Sequence, residues 1–426
     1  MHNYPRVLIV SNNSISKSSN TGRTIANLFI GWPKDKLAQF CISTTEPDYD
    51  VCDNYYLLTD RSVLESFKHF RKGERCDIKA NTGTEGNIIV RGKKAFKTPL
   101  KMLARQMVWS CKRWESDEFK KWVNEFNPEI VFIWNSDAMF ILDIAISISN
   151  ERSIPVVMYN TEGYYFFDKN IYAKDRWFGD AFYGIYHFFY KQHFRRMMKR
   201  VVLSVHLNSL LRDDYHYAFG GNHLVLYTGS NLKWDSSNLH LDNPKFSYLG
   251  NLAFNRHVAL IDIAETLQSV NKAFVLDVYG PTPSSSVEEK LRATDGIVYH
   301  GMAPYDEVVN VMYNSTILFH AETQEDEFQY ILRYGFSTKI ADSIASGRPF
   351  MMYSSPEIAG AQYIIETGAA WFAKDKSELK QNIVTILTDD AERNRILHIA
   401  EKTAKNNHNT EKNSLFIQQK LMNCTI

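Results

Sequence analysis

Short apolar runs rich in β-branched and aromatic residues alternate with helical segments along the whole chain of 426 residues, and this alternation limits the fold more than any other feature. Such runs form buried, mostly parallel strands whose faces are covered by the intervening helices. The sequence therefore predicts an α/β fold. The runs that we predict to be strands are Val7 to Ser11, Phe40 to Ser43, Tyr55 to Leu58, Ile130 to Trp134, Val156 to Tyr159, Val201 to Val205, Leu224 to Tyr227, Phe246 to Leu249, Phe274 to Tyr279, Ile297 to His300, Thr316 to His320, Pro349 to Tyr353 and Ala370 to Ala373.

A polar stretch separates two successive alternations of this kind. It begins at Trp234 and ends at Asn243-Pro244, and a chain of this length exceeds what one hydrophobic core usually holds. We predict a Rossmann-like domain over residues 1–238 and a second over residues 239–408. Residues 409–426 are expected to form a helix that packs back on the first domain.

Charge and cysteine content exclude several classes of protein. The chain has 49 Lys and Arg against 48 Asp and Glu, a formal charge of +1, which argues against a nucleic-acid partner. Its five cysteines include no CxxC pair, and no stretch reaches the roughly 20 apolar residues that span a bilayer. We expect a cytoplasmic location, with any membrane contact peripheral and on the inner face of the plasma membrane.

Two basic tracts suggest such a contact. Residues 1–240 carry 32 basic and 25 acidic side chains, and the excess is concentrated in Arg91 to Arg113 and Phe182 to Arg200. The second tract also interleaves aromatic residues at helical length, which suits the headgroup layer of an anionic membrane. A buried aromatic helix with a basic end is the alternative.

The segment from Arg333 to Pro349 has the most specific pattern. Residues 335–338 predict a turn, Lys339 a helix start, and Gly347 the helix end. Free amides at a helix start favour a phosphate, and Lys339 adds a cation. Asp342, three residues later on the same face, could accept hydrogen bonds from two ribose hydroxyls. An ordinary capped helix with a solvated Lys and Asp gives the same spacing.

This segment resembles a motif of glycosyltransferases of the GT-B architecture, most closely family-four-like enzymes of bacterial surface polysaccharide synthesis. Tyr334-Gly335-Phe336-Ser337 followed by Asp342 and Gly347-Arg348-Pro349 is similar to the family's EGFG, second acid and terminal proline. The resemblance implies a ribose-binding role for Asp342. Tyr334 stands where the family has its first acid, near the reacting sugar.

The resemblance extends through residues 245–375 and implies a site for a nucleoside-diphosphate sugar. A strand running into a glycine turn and then Arg256 looks like the family's diphosphate-binding element. Glu322 is placed within reach of the donor sugar and is a further catalytic candidate, with a solvated loop as the alternative for the acidic run from Glu322 to Glu327. The expected donor-binding residues are Gly250, Asn251, Arg256, Tyr279, Gly280, His300, Gly301, His320, Ser337, Thr338, Lys339 and Asp342.

The first half provides candidates for acceptor binding and proton transfer. Asn12 and the pair Gly22 and Arg23 form a loop that could approach the acceptor or a phosphate, but there is no GxGxxG or GxxxxGK[ST] to support hydride transfer or ATP hydrolysis. Glu162 and Asp137 follow predicted buried strands at their carboxyl ends. We expect Glu162 to be either the base that accepts the proton of the acceptor hydroxyl or an anchor for the acceptor, with capping of the next helix as the alternative for Glu162 and Asp137.

These features predict two Rossmann-like domains facing each other across a cleft. The expected activity is transfer of a UDP- or GDP-linked sugar to a hydroxyl of a glycan or lipid-linked oligosaccharide, without metal or other cofactor. No HExxH or comparable ligand spacing occurs among the histidines. A non-hydrolysing UDP-sugar 2-epimerase and an inactive carbohydrate- or lipid-binding scaffold are the alternative functions.

Overall fold

The computed structural model describes residues 4–17, 20–42, 45–67, 74–76, 97–172, 178–237 and 239–424. The chain divides into two compact units. Unit 1 contains residues 1–207, 211–226 and 411–426, and unit 2 contains residues 208–210 and 227–410.

Unit 1 is built on an eight-stranded sheet. Its strands are β1 (Val7–Ser11), β2 (Leu37–Cys41), β3 (Tyr55–Leu57), β4 (Glu74–Cys76), β5 (Ile130–Trp134), β6 (Val156–Asn160), β7 (Val201–His206) and β8 (His223–Val225). The spatial order is β4-β3-β2-β1-β5-β6-β7-β8. All neighbouring strands are parallel except β3 and β4, which are antiparallel.

Helices connect most of the parallel strands of unit 1, as is usual for parallel pairing, whereas β2 is followed by β3 without a described helix between them. The helices are α1 (Asn20–Leu28), α2 (Asp60–Glu65), α3 (Pro99–Ser110), α4 (Asp117–Phe126), α5 (Met139–Arg152), α6 (Gly179–Met198) and α7 (Ser209–Phe219), with a 3-10 turn at Lys34–Lys36.

The helix α4 shows how local sequence sets an element of this unit. The hydroxyl of Ser116 accepts a hydrogen bond from the Phe119 amide and caps the first turn. Phe119, Trp122 and Phe126 recur at helical spacing and are all buried. Asn127, in a left-handed conformation, ends the helix.

Unit 2 is built on six parallel strands: β9 (Phe246–Leu249), β10 (Leu276–Tyr279), β11 (Ile297–Gly301), β12 (Ile317–Ala321), β13 (Phe350–Tyr353) and β14 (Trp371–Ala373). Their order is β11-β10-β9-β12-β13-β14. Its helices are α8 (Arg256–Val270), α9 (Ser285–Ala293), α10 (Tyr305–Asn314), α11 (Asp326–Leu332), α12 (Thr338–Ala345), α13 (Ala359–Thr367), α14 (Lys376–Thr388) and α15 (Asp390–Asn407).

Each unit encloses its own hydrophobic core. In unit 1, residues of β1, β5 and β6 pack with α1 and with Ile417 and Leu421 of the last helix, α16 (Thr410–Asn423). The Ser414 hydroxyl and the Gln418 amide of α16 also donate hydrogen bonds to the carbonyl of Leu28. In unit 2, all six strands contribute to one core with α8, α9, α14 and α15. Two Rossmann-like domains with an α/β fold are thus confirmed.

The division after Leu226 falls earlier than the boundary predicted after residue 238. Residues that follow Leu226 pack within unit 2: the Tyr227 ring lies 4.5 Å from the Tyr363 ring, and the Thr228 carbonyl accepts a hydrogen bond of 2.9 Å from His408 Nδ1. Burial lowers the pKa of His408 to about 4, so its neutral ring accepts from the Tyr363 hydroxyl through Nε2. Within the polar stretch itself, the Asp235 amide donates to the Ser346 carbonyl at 3.1 Å, so the polar stretch also belongs to unit 2.

Candidate functional site

Two glycine turns meet at the carboxyl ends of β9 and β10, where α/β sheets bind their ligands. The Gly250 amide donates to the Tyr279 carbonyl at 3.0 Å, and the Gly280 amide donates to the Gly301 carbonyl at 2.7 Å. Gly280 has a φ of +141°, and a Cβ there would lie 1.7 Å from the Gly250 oxygen. The backbones therefore approach as closely as only glycine permits. The Gly301 carbonyl is engaged by this contact.

Arg256, at the start of α8, is held by a buried carboxylate. Its Nε donates to Glu322 Oε2 at 2.6 Å and its Nη2 to Oε1 at 2.8 Å, while Nη1 donates to Asn251 Oδ1 at 2.8 Å. His320 Nε2 lies 3.1 Å from Glu322 Oε1. Burial acts to raise the pKa of Glu322, but the Arg256 guanidinium outweighs it and holds that pKa below its ordinary value. Arg256 therefore already has an anionic partner within unit 2, and its role in binding a diphosphate stays a prediction.

The start of α12 brings together the residues predicted from the motif. The Ser337 hydroxyl accepts from the Lys339 amide at 3.2 Å and caps the helix, which begins at Thr338. Lys339 Nζ lies 3.3 Å from Asp342 Oδ2, so the predicted shared helix face is present. Asp342 Oδ1 accepts a hydrogen bond of 2.8 Å from the hydroxyl of Ser230. Ser230 was missed by the sequence reasoning, since it lies in a short segment without a motif between a predicted strand and the polar stretch.

Tyr334 is buried, and its carbonyl accepts a hydrogen bond of 2.9 Å from Asn208 Nδ2. At the edge of the sheet, the rings of Tyr279 and His300 stack with centroids 4.3 Å apart and an angle of 7°. Asp277 Oδ1 lies 2.7 Å from His300 Nε2 and fixes the orientation of the imidazole. These two rings form a flat surface next to the glycine turns.

Unit 1 has a cavity of about 630 Å³ at the carboxyl ends of its strands. Hydroxyl and amide side chains make up half of its wall, and charged side chains make up most of the rest. The lining residues are Asn12, Asn13, Thr21, Ile42, Thr59, Asp60, Arg61, Lys97, Arg105, Trp134, Asn135, Ser136, Asp137, Thr161, Glu162 and Tyr164.

The two predicted carboxylates both line this cavity but differ in their surroundings. Asp137 is buried and paired: its Oδ2 accepts from Lys97 Nζ at 2.6 Å and from the Tyr172 hydroxyl at 3.1 Å. Among the described residues, the Glu162 carboxylate has no hydrogen bond or ion pair, and desolvation raises its pKa to about 7. Glu162 can therefore exchange a proton near neutral pH, whereas Asp137 is a fixed counter-ion for Lys97.

Only part of the predicted N-terminal loop belongs to the cavity. Asn12 lines it, and its buried Oδ1 has no hydrogen-bond partner in the part of the chain that the structure describes. Thr21 also lines it, whereas Gly22 and Arg23 do not belong to its described lining, and their approach to the acceptor or a phosphate stays a prediction. The helix α1 already begins at Asn20, so Gly22 lies inside a helical turn and not in an open loop.

The first basic tract is not one free cationic surface. Residues 91–96 lie outside the described residues. Lys97 and Arg105 bind carboxylates at the cavity wall, the second through Nε to Asp60 Oδ1 at 2.8 Å. Over the described ranges, we find no cluster of three metal-ligating side chains. None of the helices described has the length and hydropathy to cross a bilayer.

Comparison with known proteins relates the chain to solved structures. No family model matches the chain. No curated protein matches it in sequence. Anabaena HepE, solved with UDP, is similar over 98% of this chain and 100% of its own, with a TM-score of 0.62 and 12% identity.

Two further structures are similar at comparable length. Sucrose-phosphate synthase from Thermosynechococcus elongatus covers 97% of this chain and 98% of its own, with a TM-score of 0.61 and 12% identity. WaaG, a glycosyltransferase involved in lipopolysaccharide biosynthesis, covers 97% and 99%, with a TM-score of 0.55 and 11% identity. The chain therefore has the two-domain Rossmann-like fold of these proteins, the GT-B architecture predicted from its sequence.

Proposed function

We propose that the protein is a glycosyltransferase that moves a sugar from a UDP- or GDP-linked donor to a hydroxyl of a glycan or lipid-linked oligosaccharide. The observation that carries this proposal is Glu162, an unpaired carboxylate with a pKa of about 7 in a cavity lined by hydroxyl and amide groups. Support for the donor comes from the fold, because HepE was solved with UDP and with UDP-glucose.

The chemistry follows from these groups. Glu162 accepts the proton of the acceptor hydroxyl, whose oxygen bonds to the anomeric carbon of the donor as the bond from that carbon to the diphosphate oxygen breaks. The electron pair leaves with the diphosphate, and its charge is stabilised by Lys339 and by the amides at the start of α12. Asp342 accepts hydrogen bonds from the ribose. We propose that no metal or other cofactor takes part.

Lys339→Ala should weaken the binding of UDP or GDP by about tenfold, because one charge-assisted hydrogen bond to phosphate is lost. Calorimetric titration of each nucleotide measures the effect, and binding should persist in EDTA. Lys380→Ala, on the exposed face of α14, is the matched control. Unchanged affinity in Lys339→Ala would place the diphosphate elsewhere.

The epimerase alternative needs no acceptor. Incubation with a UDP-sugar alone would yield an epimerised nucleotide sugar from an epimerase, whereas a transferase releases UDP in the presence of acceptor. The buried Tyr334, in place of the family acid, is the observation that favours an inactive scaffold. A scaffold would bind without turnover under every donor tried.

We also propose that α6 contacts an anionic membrane. Its buried residues Tyr183, Tyr186 and Tyr190 face unit 1, while Phe188 and Phe189 are 59% and 47% exposed. Four exposed cations follow these phenylalanines along the chain: Arg195, Arg196, Lys199 and Arg200. The helix therefore has a buried aromatic face, and its exposed face carries both aromatic and basic residues, as the proposed membrane contact requires.

Replacing both phenylalanines, Phe188→Ser with Phe189→Ser, should reduce binding to vesicles of phosphatidylglycerol and phosphatidylcholine by tenfold or more, since each buried aromatic side chain is worth about 1.5 to 3 kcal/mol. Cosedimentation measures the bound fraction. Tyr217→Ser, at an exposed aromatic residue on α7, is the control. Equal sedimentation of the double variant and the wild type would contradict this contact.

A further inference from the structure

The hydrogen-bonding capacity of Arg256 is nearly exhausted within unit 2. A guanidinium has five N–H groups. Nε and Nη2 each give one to Glu322, at 2.6 and 2.8 Å. Nη1 donates to the Asn251 side-chain oxygen at 2.8 Å and to the Asn251 carbonyl at 3.4 Å. Only one N–H, on Nη2, is left for a ligand.

The pair has the geometry of anion recognition. Two parallel N–H···O bonds from one guanidinium to one carboxylate match the arrangement by which arginine binds phosphate. Both side chains are largely buried, with 12% of Arg256 and 7% of Glu322 exposed. Since neither charge could be buried alone without a large desolvation cost, each requires the other or a replacement of equal charge.

The location of the pair connects it to the candidate donor site. Arg256 is the first residue of α8, the helix that follows the turn at Gly250 and Asn251. Glu322 comes directly after the last residue of β12, the strand next to β9. The carboxylate therefore binds the guanidinium to which the family resemblance assigns a diphosphate. His320, on the same strand, gives Glu322 a second contact at 3.1 Å that does not depend on Arg256.

We propose that Glu322 is an internal substitute for the diphosphate of the donor: Arg256 binds Glu322 in the free protein and exchanges it for diphosphate oxygens when the donor binds. The inference rests on the proposed function, because it presumes a nucleoside-diphosphate ligand in unit 2. Glu322 then sets the affinity for the donor by competition and remains in contact with His320 after the exchange. It is a specificity-determining residue, since only an anion able to replace a bidentate carboxylate can displace it.

The test is whether Glu322→Gln binds UDP and GDP more tightly or more weakly than the wild type does. Glu322→Gln keeps the size of the side chain and removes its charge, so UDP and GDP should bind about tenfold more tightly or better, measured by calorimetry in one buffer. Glu327→Gln, which removes an exposed charge of the same acidic run, should leave the affinity unchanged. If Glu322 only supports the fold, the variant should bind equally or more weakly, and that result would overturn the inference.

Two further results keep the test decisive. Glu322→Asp, whose shorter side chain cannot maintain both bonds to Arg256, should shift the affinity in the same direction if Glu322→Gln does not fold. Tighter binding of UDP or GDP by the variants than by the wild type supports the exchange. This holds even if binding to the wild type is too weak to detect. Wild-type binding of UDP without a gain in either variant contradicts the exchange but leaves the proposed function intact. Absence of binding in all proteins overturns both.

Discussion

Glu162→Gln should lower the turnover of sugar transfer by roughly a hundredfold to ten-thousandfold, the usual contribution of a positioned general base. The amide cannot accept the proton of the acceptor hydroxyl, although it fills the same space in the cavity. Affinity for UDP or GDP should stay unchanged, because the predicted donor groups belong to unit 2. Measuring turnover and nucleotide affinity on the same samples separates the two effects, and Glu151→Gln, at an exposed position in unit 1, is the control.

The pH dependence of Glu162 gives the same prediction a second readout. The base must be ionised, so the wild-type rate should rise with pH through about 7. The folded-state pKa lies above the ordinary value of 4.5, so the ionised form is disfavoured by folding, and stability is lost as the pH rises from 4.5 through about 7. At pH 8, Glu162→Gln should therefore be more stable than the wild type by about 3 kcal/mol. A fully active variant would show that another group accepts the proton.

Arg256→Ala should lower the free energy of unfolding by about 3 to 5 kcal/mol, because it leaves the buried Glu322 charged and without its partner. Urea unfolding of the variant and the wild type measures the difference. Arg292→Ala, which breaks an exposed pair with Glu288 on α9, should cost less than about 1 kcal/mol. The double variant Arg256→Ala with Glu322→Ala should recover part of the loss, since no uncompensated charge is then buried.

The stability of Arg256→Ala determines whether a change in its UDP affinity can be assigned to lost phosphate contacts. Loss of UDP affinity in Arg256→Ala alone could reflect a disturbed turn at Asn251, so stability must be measured beside affinity. If Arg256→Ala has the same free energy of unfolding as the wild type, burial of the pair with Glu322 does not carry the expected desolvation cost.

The alternation of apolar runs was sufficient to predict the fold. Each of the 13 predicted runs overlaps a strand of the structure, and those buried on both faces, such as β1, β5 and β6, are the most continuously apolar. The strand β4 was missed, since Glu74–Cys76 is short, charged and at the sheet edge, where burial imposes no apolar pattern. The division after Leu226 was also missed, because it depends on contacts of Tyr227 and Thr228 with distant residues.

The sequence predicted positions of the candidate site, but it did not predict which of these residues contact one another. Both Asp137 and Glu162 follow strand ends, and only the structure shows that Lys97 and Tyr172 contact the first of them. The pairs Arg256 with Glu322 and Ser230 with Asp342 join residues 66 and 112 positions apart. Contacts at such separations arise from the order of strands in the sheet, which local sequence patterns do not specify.

A crystal structure of the protein with bound UDP or GDP tests the central claim most directly. We expect the diphosphate between the Gly250 and Gly280 turns and the start of α12, with Arg256 turned from Glu322 to the phosphate oxygens and the ribose on Asp342. A nucleotide bound outside unit 2, or electron density showing these turns still empty at saturating nucleotide, would contradict it.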